Sequence, residues 1–187
     1  SVYAGTDGPL YAVSRAGLYR SLSFDEQPVV IDSSSEWREV VCSGSGQYVA
    51  ITKNVDSVFE IYVSSNYGEG AVQVAAPANS DYVAMSPSGK YVVASFSGWS
   101  QYATAVYPPY VLAVSSDYGG NWTSVVANFP ADTYCQSVAV TDSRVIYASS
   151  CAYYAGLPDE GFVYTQTMYR SLDFGQTWVV MNTPLAR

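Results

Sequence analysis

The 187-residue chain has no histidine. That absence removes imidazole bases, histidine metal ligands and serine–histidine triads together. Lysine is almost missing: only Lys53 and Lys90 stand beside six arginines. Charged residues make up 13%, about half the share usual in soluble domains. The balance is acidic, with eight Lys+Arg against sixteen Asp+Glu and a formal net charge of −8. With no basic cluster there is no surface to track phosphates, which excludes nucleic acid as a partner. No apolar run approaches the roughly 18 residues of a spanning helix, so membrane insertion is not expected. Carboxylates remain able to hold a cation, but no motif implies a metal, and no cofactor is implied either.

Tyrosine is plentiful at 18 copies, with 14 glycines and 9 prolines. Apolar residues reach 49%, enough for a real core. The length suits one domain, 1–187, and is short for two. This is the composition of a β-rich, sticky, extracellular protein, and secretion is the expectation. The chain opens on Ser1 with no leader-like stretch, as a processed form or an excerpt would.

Internal repetition dominates the sequence. Ser21-Leu-Ser-Phe-Asp25, Ser64-Ser-Asn-Tyr-Gly68, Ser115-Ser-Asp-Tyr-Gly119 and Ser171-Leu-Asp-Phe-Gly175 recur at spacings of 43, 51 and 56 residues. The last two continue to Trp122 and Trp178, giving S-x-D-[YF]-G-x-x-W. The second copy keeps Asn66 and Gly68 but has Ala71 for the tryptophan. The first is most worn, with Ser23 for the aspartate, Asp25 for the glycine and Pro28 for the tryptophan.

A second register agrees with the first. Upstream of each box lies a small hairpin: Val2–Ala4 with Leu10–Ala12, Val40–Cys42 with Tyr48–Ala50, Val83–Met85 with Tyr91–Val93, and Val138–Val140 with Ile146–Ala148. A third apolar strand precedes each box and a fourth follows it. Each repeat therefore reads as four short strands, A to D. Val, Tyr and Ile suit a pleated surface, while Gly, Ser, Pro and Asp punctuate the turns. Four-stranded units at this spacing describe propeller blades, and no helical period is present.

The box pattern resembles the Asp-box (BNR) repeat. That family occurs in sialidases, xyloglucan-cleaving hydrolases, sortilin-type receptors and a photosystem assembly factor, all β-propellers. The resemblance covers essentially the whole chain. It implies an all-β propeller of four Asp-box blades with four antiparallel strands each, at about 1–34, 35–77, 78–129 and 130–187. The alternative is four blades of a larger or two-chain ring. All four repeats run in the same A-to-D phase and no spare strand is left to close the ring. Closure must then come from blade packing or from another chain.

The boxes read as C–D turns. Their residues are Ser21 and Asp25; Ser64, Asn66 and Gly68; Ser115, Asp117, Gly119 and Trp122; Ser171, Asp173, Gly175 and Trp178. The aspartate accepts backbone N–H bonds, glycine supplies positive φ, and the aromatics pin the turn. Asp117 and Asp173 are thus fasteners rather than reagents, and in the family these turns face away from the usual active site. Asn121-Trp-Thr123 is a glycosylation sequon inside a box. Pairing Val140 with Ile146 and Val138 with Ala148 carries Cys135 opposite Cys151, which predicts a disulfide and an oxidising compartment. A one-residue slip in register would separate the two. Cys42 reads as a buried free thiol.

Function should sit on the B–C loops, which share one rim. They are long in repeats three (Ser97 to Pro109) and four (Cys151 to Thr167). Both are aromatic, with Trp99, Tyr102, Tyr107 and Tyr110, then Tyr153, Tyr154, Phe162 and Tyr164. Such a surface stacks sugar rings, packs on another protein, or caps the propeller end. A glycosidase would need two carboxylates about 5–10 Å apart, and the candidates are Asp56, Glu60, Asp159 and Glu160. The arginine triad of the sialidase branch is missing; Arg20 and Arg170 sit at equivalent strand-C positions, as repeat structure would place them. The leading expectation is a non-enzymatic, secreted structural or adhesive propeller that self-associates or binds another extracellular protein. A glycan-binding module and a hydrolase fragment are the alternatives.

Overall fold

The computed structural model describes residues 1–4, 8–23, 25–56, 58–75, 80–96, 111–126, 133–155 and 162–181. Among these the regular structure is all β, with no helix. The first antiparallel sheet contains β1 (Val2–Ala4), β2 (Leu10–Ser14), β3 (Gly17–Ser21) and β4 (Val29–Asp32). The second contains β5 (Trp37–Cys42), β6 (Val49–Val55), β7 (Val58–Ser64) and β8 (Val72–Gln73). The third contains β9 (Ser80–Met85), β10 (Val92–Phe96), β11 (Val111–Ser115) and β12 (Thr123–Val126). The fourth contains β13 (Thr133–Val140), β14 (Ile146–Ala155), β15 (Phe162–Ser171) and β16 (Val179–Met181). Within each sheet the strands pair in chain order, the meander of a propeller blade.

Apolar side chains interleave between successive sheets. Tyr11, Val13 and Leu18 of the first meet Trp37, Val40, Cys42, Val49 and Ile51 of the second. Val41 and Ala50 meet Val83, Met85 and Val92, and Ile61 meets Ala94 and Ala113. Ala84, Val93 and Val114 meet Val140 and Ile146, while Leu112 meets Cys135 and Ala148. Each buried aliphatic contributes about 1.5–3 kcal/mol over its exposed state, so these three seams hold the arrangement together.

The second strands record which sheets have neighbours. In β6 and β10 the four residues Val49–Thr52 and Val92–Ser95 are all buried, because both faces are covered. In β2 only Tyr11 and Val13 are buried, while Leu10 and Ala12 are half-buried. In β14 the phase is opposite: Ile146, Ala148 and Ser150 are buried, while Tyr147 and Ser149 are half-buried. The first and last sheets are each covered on one face. Among the described residues no extensive packing joins a strand of the fourth sheet to a strand of the first, so the described blades are not sealed into a ring by a fourth seam.

The turns lie where expected. In the second and third blades, A–B turns and boxes share a rim, since Tyr67 N donates to Gln47 O at 2.9 Å and Tyr118 N to Lys90 O at 3.0 Å. Turns also link blade to blade. Gly44 N donates to Pro87 O at 2.7 Å, and Asp142 accepts from Ser88 N at 3.1 Å and Ser88 Oγ at 2.5 Å. Tyr48 stacks on Tyr118 of the next box at 4.2 Å, and Tyr91 meets Phe174 edge-on at 5.4 Å. The fourth strands stand outermost, with Val29, Val30, Val72, Val179 and Val180 exposed.

Two expectations are corrected in the fourth blade. The pairing runs Val140↔Ile146 to Ser137↔Ser149 as expected, then shifts at a bulge. Beyond it Cys135 stands opposite Ser150 and Cys151 opposite Tyr134. The extra residue of the bulge moves every later pair by one place, and Cys135 is a free thiol, so the predicted disulfide does not form. The B–C segment expected to be a loop from Cys151 to Thr167 is largely strand: β14 and β15 pair continuously out to Ala155↔Phe162.

Candidate functional site

The boxes are the most organised polar groups. In the third, Ser115 Oγ donates to Asp117 Oδ1 at 2.8 Å and accepts from Gly119 N at 3.0 Å. Asp117 also accepts from Asn121 N at 2.8 Å and Asn121 Nδ2 at 2.6 Å. The fourth repeats this: Ser171 Oγ to Asp173 Oδ1 at 2.8 Å, Gly175 N to Ser171 Oγ at 2.7 Å, and Thr177 N to Asp173 Oδ1 at 2.8 Å. Thr177 Oγ1 donates to Asp173 Oδ2 at 2.5 Å. Trp122 and Trp178 close the turns by donating Nε1 to Gly119 O at 2.8 Å and Gly175 O at 3.0 Å. Gly119 and Gly175 have φ of 87° and 93°, the left-handed region that suits glycine.

These bonds favour the ionised carboxylate. The Asn121 side chain and amide hold the Asp117 carboxyl below its usual range. The Thr177 hydroxyl and amide, with Ser171, bring that of Asp173 down to about 2. Such a group is a poor general acid near neutrality. The worn boxes do without a carboxylate. Ser64 Oγ donates to Glu69 O at 2.7 Å, and Ser21 Oγ to Glu26 O at 3.0 Å. Asn66 contributes its backbone, with Glu69 N donating to Asn66 O at 2.9 Å. Asp25 is exposed. Asn121 is exposed, with its amide already bonded to Asp117.

The aromatic candidates are split. Trp99, Tyr102, Tyr107 and Tyr110 lie outside the described residues. Tyr153 and Tyr154 lie on β14, Phe162 and Tyr164 on β15, and the register sets Tyr153 opposite Tyr164. Asp159 and Glu160 also lie outside the described residues. Asp56 stands in the β6–β7 turn with φ 49°, and Glu60 accepts from the Tyr62 hydroxyl at 3.0 Å. Around them lies a cluster not foreseen from the sequence. Lys53 Nζ sits 4.8 Å from the Trp37 ring and donates to Ser34 Oγ at 3.0 Å, and Trp37 meets Tyr62 edge-on at 5.2 Å. Trp37 is buried, so the cluster seals the first seam and offers no stacking platform.

A cavity of about 420 Å³ runs between the inner strands, lined by Val40, Val41, Val83, Val138 and Val140 among others. Glu39 is the titratable side chain of its described lining, and its Oε2 accepts from Val83 N at 2.8 Å. A paired-carboxylate mechanism needs a second acid there. Among the described residues no group of three or more Cys, Asp or Glu could hold a metal ion. The thiols of Cys42 and Cys135 are buried, which pushes them up to about 12 and about 11 and makes them poor nucleophiles.

One interaction joins two blades through charge. Arg20 on β3 donates Nη1 to Tyr67 O at 2.9 Å and Nη2 to Glu69 Oε1 at 3.1 Å in the next box. Beside it the Tyr11 hydroxyl donates to Gly46 O at 2.8 Å. Arg170 holds the equivalent position on β15 and has no ion-pair partner among the described residues.

Four-stranded meander sheets packed in series, two of them with S-x-D-[YF]-G turns, are blades of the β-propeller type. Residues 112–125 match the family model described as the BNR-Asp box repeat. No curated protein matches the chain. Among solved structures it is similar to the GH74 xyloglucanase from Xanthomonas campestris, with a TM-score of 0.65, 19% identity, and coverage of 96% of this chain and 29% of that one. A putative TolB from Agrobacterium tumefaciens gives a TM-score of 0.67 at 18% identity, covering 98% and 61%. A tricorn protease gives 0.65 at 13% identity, covering 99% and 16%. The chain thus spans less than two thirds of each of these structures, and the likeness is one of fold.

Proposed function

We propose that the chain is a non-enzymatic, secreted structural or adhesive propeller module that associates through its open blade surfaces into an extracellular multimer or filament. The observation that carries this reading is the uncovered outer face of the fourth sheet. Met168 is 38% exposed where its counterparts Ile61 and Leu112 are 1% exposed. Ala139 is exposed where Val41 and Ala84 are buried. The exposed valines of β4, β8 and β16 add unpaired apolar edges, which favour association. The box carboxylates are held as turn fasteners, which supports a role without chemistry. Secretion rests on composition alone, because the disulfide that would have supported it does not form.

The test is sedimentation across a hundredfold range of concentration, with a hydrolysis screen on polysaccharides. Concentration-dependent association without hydrolysis is expected. A monomer throughout removes the assembly role, and hydrolysis lost in Asp159→Asn or Glu160→Gln replaces this reading with a hydrolase.

The extended β14–β15 hairpin supports glycan binding as a second reading, since it places Tyr153 opposite Tyr164 on strands longer than the other described ones. Glycan-array binding that falls in Trp99→Ala or Tyr153→Ala supports it. An array without hits removes it.

A further inference from the structure

We infer that the outer face of the fourth sheet receives the first sheet of a second copy of this chain, with Arg170 pairing with Glu26 of that copy. This rests on the assembly reading above and names its joint. The template is the first seam within the chain. There Tyr11 and Arg20, opposite each other on β2 and β3, reach the next blade, and Arg20 pairs with Glu69 at 3.1 Å. The same two residue types recur once, as Tyr147 opposite Arg170 on the fourth sheet. The second and third sheets have Ala50 opposite Val63 and Val93 opposite Val114 instead.

The acceptor is distributed in the matching way. Glu69 is the fifth residue after its box serine. That place holds Glu26 in the first blade, Gly120 in the third and Gln176 in the fourth. The two aliphatic faces are therefore followed by boxes without an acid. A Tyr–Arg face calls for a blade with the glutamate, and beyond the second blade only the first has one. Glu26 is held as Glu69 is: in both, the box serine hydroxyl donates to the glutamate carbonyl, at 3.0 and 2.7 Å.

Neither partner is taken by a described residue. Glu26 is exposed, and neither it nor Arg170 makes an ion pair with a described residue; Arg170 also shares with Arg20 of the template a buried Nε without a hydrogen-bond partner. Arg170 makes no ion pair with Glu26 of its own chain, and among the described residues the fourth and first sheets share no extensive packing. The apolar parts also match, because Leu10 and Ala12 on the open face of the first sheet are half-buried where their counterparts Val49 and Ile51 are buried, and Tyr19 is half-buried as its counterpart Tyr62 is. Asp25 replaces the Gly68 of the template. A Cβ on Gly68 would meet the flexible tip of Ile31 at 3.2 Å and the buried Tyr11 ring at 3.3 Å, so at the proposed joint the ring of Tyr147 must shift by a few tenths of an ångström to admit Asp25. Repetition of this head-to-tail contact closes a ring or extends a filament, according to its rotation.

The test uses the whole chain in sedimentation velocity, with circular dichroism to verify folding. Wild type is expected to associate. Arg170→Glu and Glu26→Arg are each expected to weaken association about tenfold or more, because like charges then meet at the joint. Mixing these two variants is expected to restore it, since one joint of the pair is native and the other is charge-swapped. Arg170→Ala, a milder change, is expected to weaken it less. Association unchanged in both reversals, or not restored by mixing, overturns the inference while leaving the assembly reading standing. A wild type that stays monomeric at every concentration overturns both.

Discussion

Gly119 lies so close to Val63 of the preceding blade that a Cβ on it would stand 2.6 Å from Val63 Cγ1. The box is therefore both a turn and a seam: its glycine permits the positive φ and also lets the next sheet approach. Gly119→Ala should destabilise the fold by about 2–4 kcal/mol, combining left-handed strain with overpacking. Gly70 also has positive φ, but nothing lies within 4 Å of where its Cβ would stand, so Gly70→Ala should cost about 1 kcal/mol. Urea unfolding of both variants checks this, and Val63→Ala should partly rescue only the first.

The box aspartates predict an acid-sensitive fold. Their folded-state pKa values lie below the ordinary 3.8, Asp173 at about 2. A depressed carboxylate stabilises above its unfolded value and loses that contribution as pH falls through its folded one. Thermal midpoints should therefore fall between about pH 4 and pH 2. The Asp117→Asn, Asp173→Asn double variant should be less stable at neutral pH and show a flatter profile across that window.

The bulge predicts the thiol count. Denatured without reductant, the protein should release three titratable thiols, one for each cysteine. A single thiol would mean that Cys135 and Cys151 are bonded after all. In the native state Cys42 and Cys135 should be nearly inert to thiol reagents, as burial pushes both upward.

Asp142 should act as a latch between the third and fourth blades. It holds Ser88 through both amide and hydroxyl, and those bonds keep its carboxyl below the usual range. Asp142→Ala should cost about 1 kcal/mol, discounted for an exposed site. Hydrogen exchange at the Ser86–Lys90 turn should rise, with the first seam unchanged.

Much of the fold was legible because its signals are local. Alternating Val, Tyr and Ile mark each strand, and the box carries its own hydrogen-bond chemistry, so Ser115, Asp117, Gly119 and Trp122 could be assigned their roles without a neighbour. The Gln136 bulge could not be read, because one unpaired residue leaves no compositional trace yet moves Cys135 away from Cys151. The long fourth hairpin was hidden for a related reason: Tyr153 and Tyr164 suit a loop platform and a strand equally well. The equivalence of Arg20 and Arg170 was visible as repetition, but its use was not, since that depends on a glutamate in the following blade.

The sequence by itself determined four four-stranded units and the turns that fasten them, because adjacent residues supply those forces. Only the tertiary structure decided which faces are covered. Burial on a sheet depends on what packs against it, and Tyr11 and Tyr147, alike in their local setting, differ because among the described residues a next blade packs over the first and none over the second.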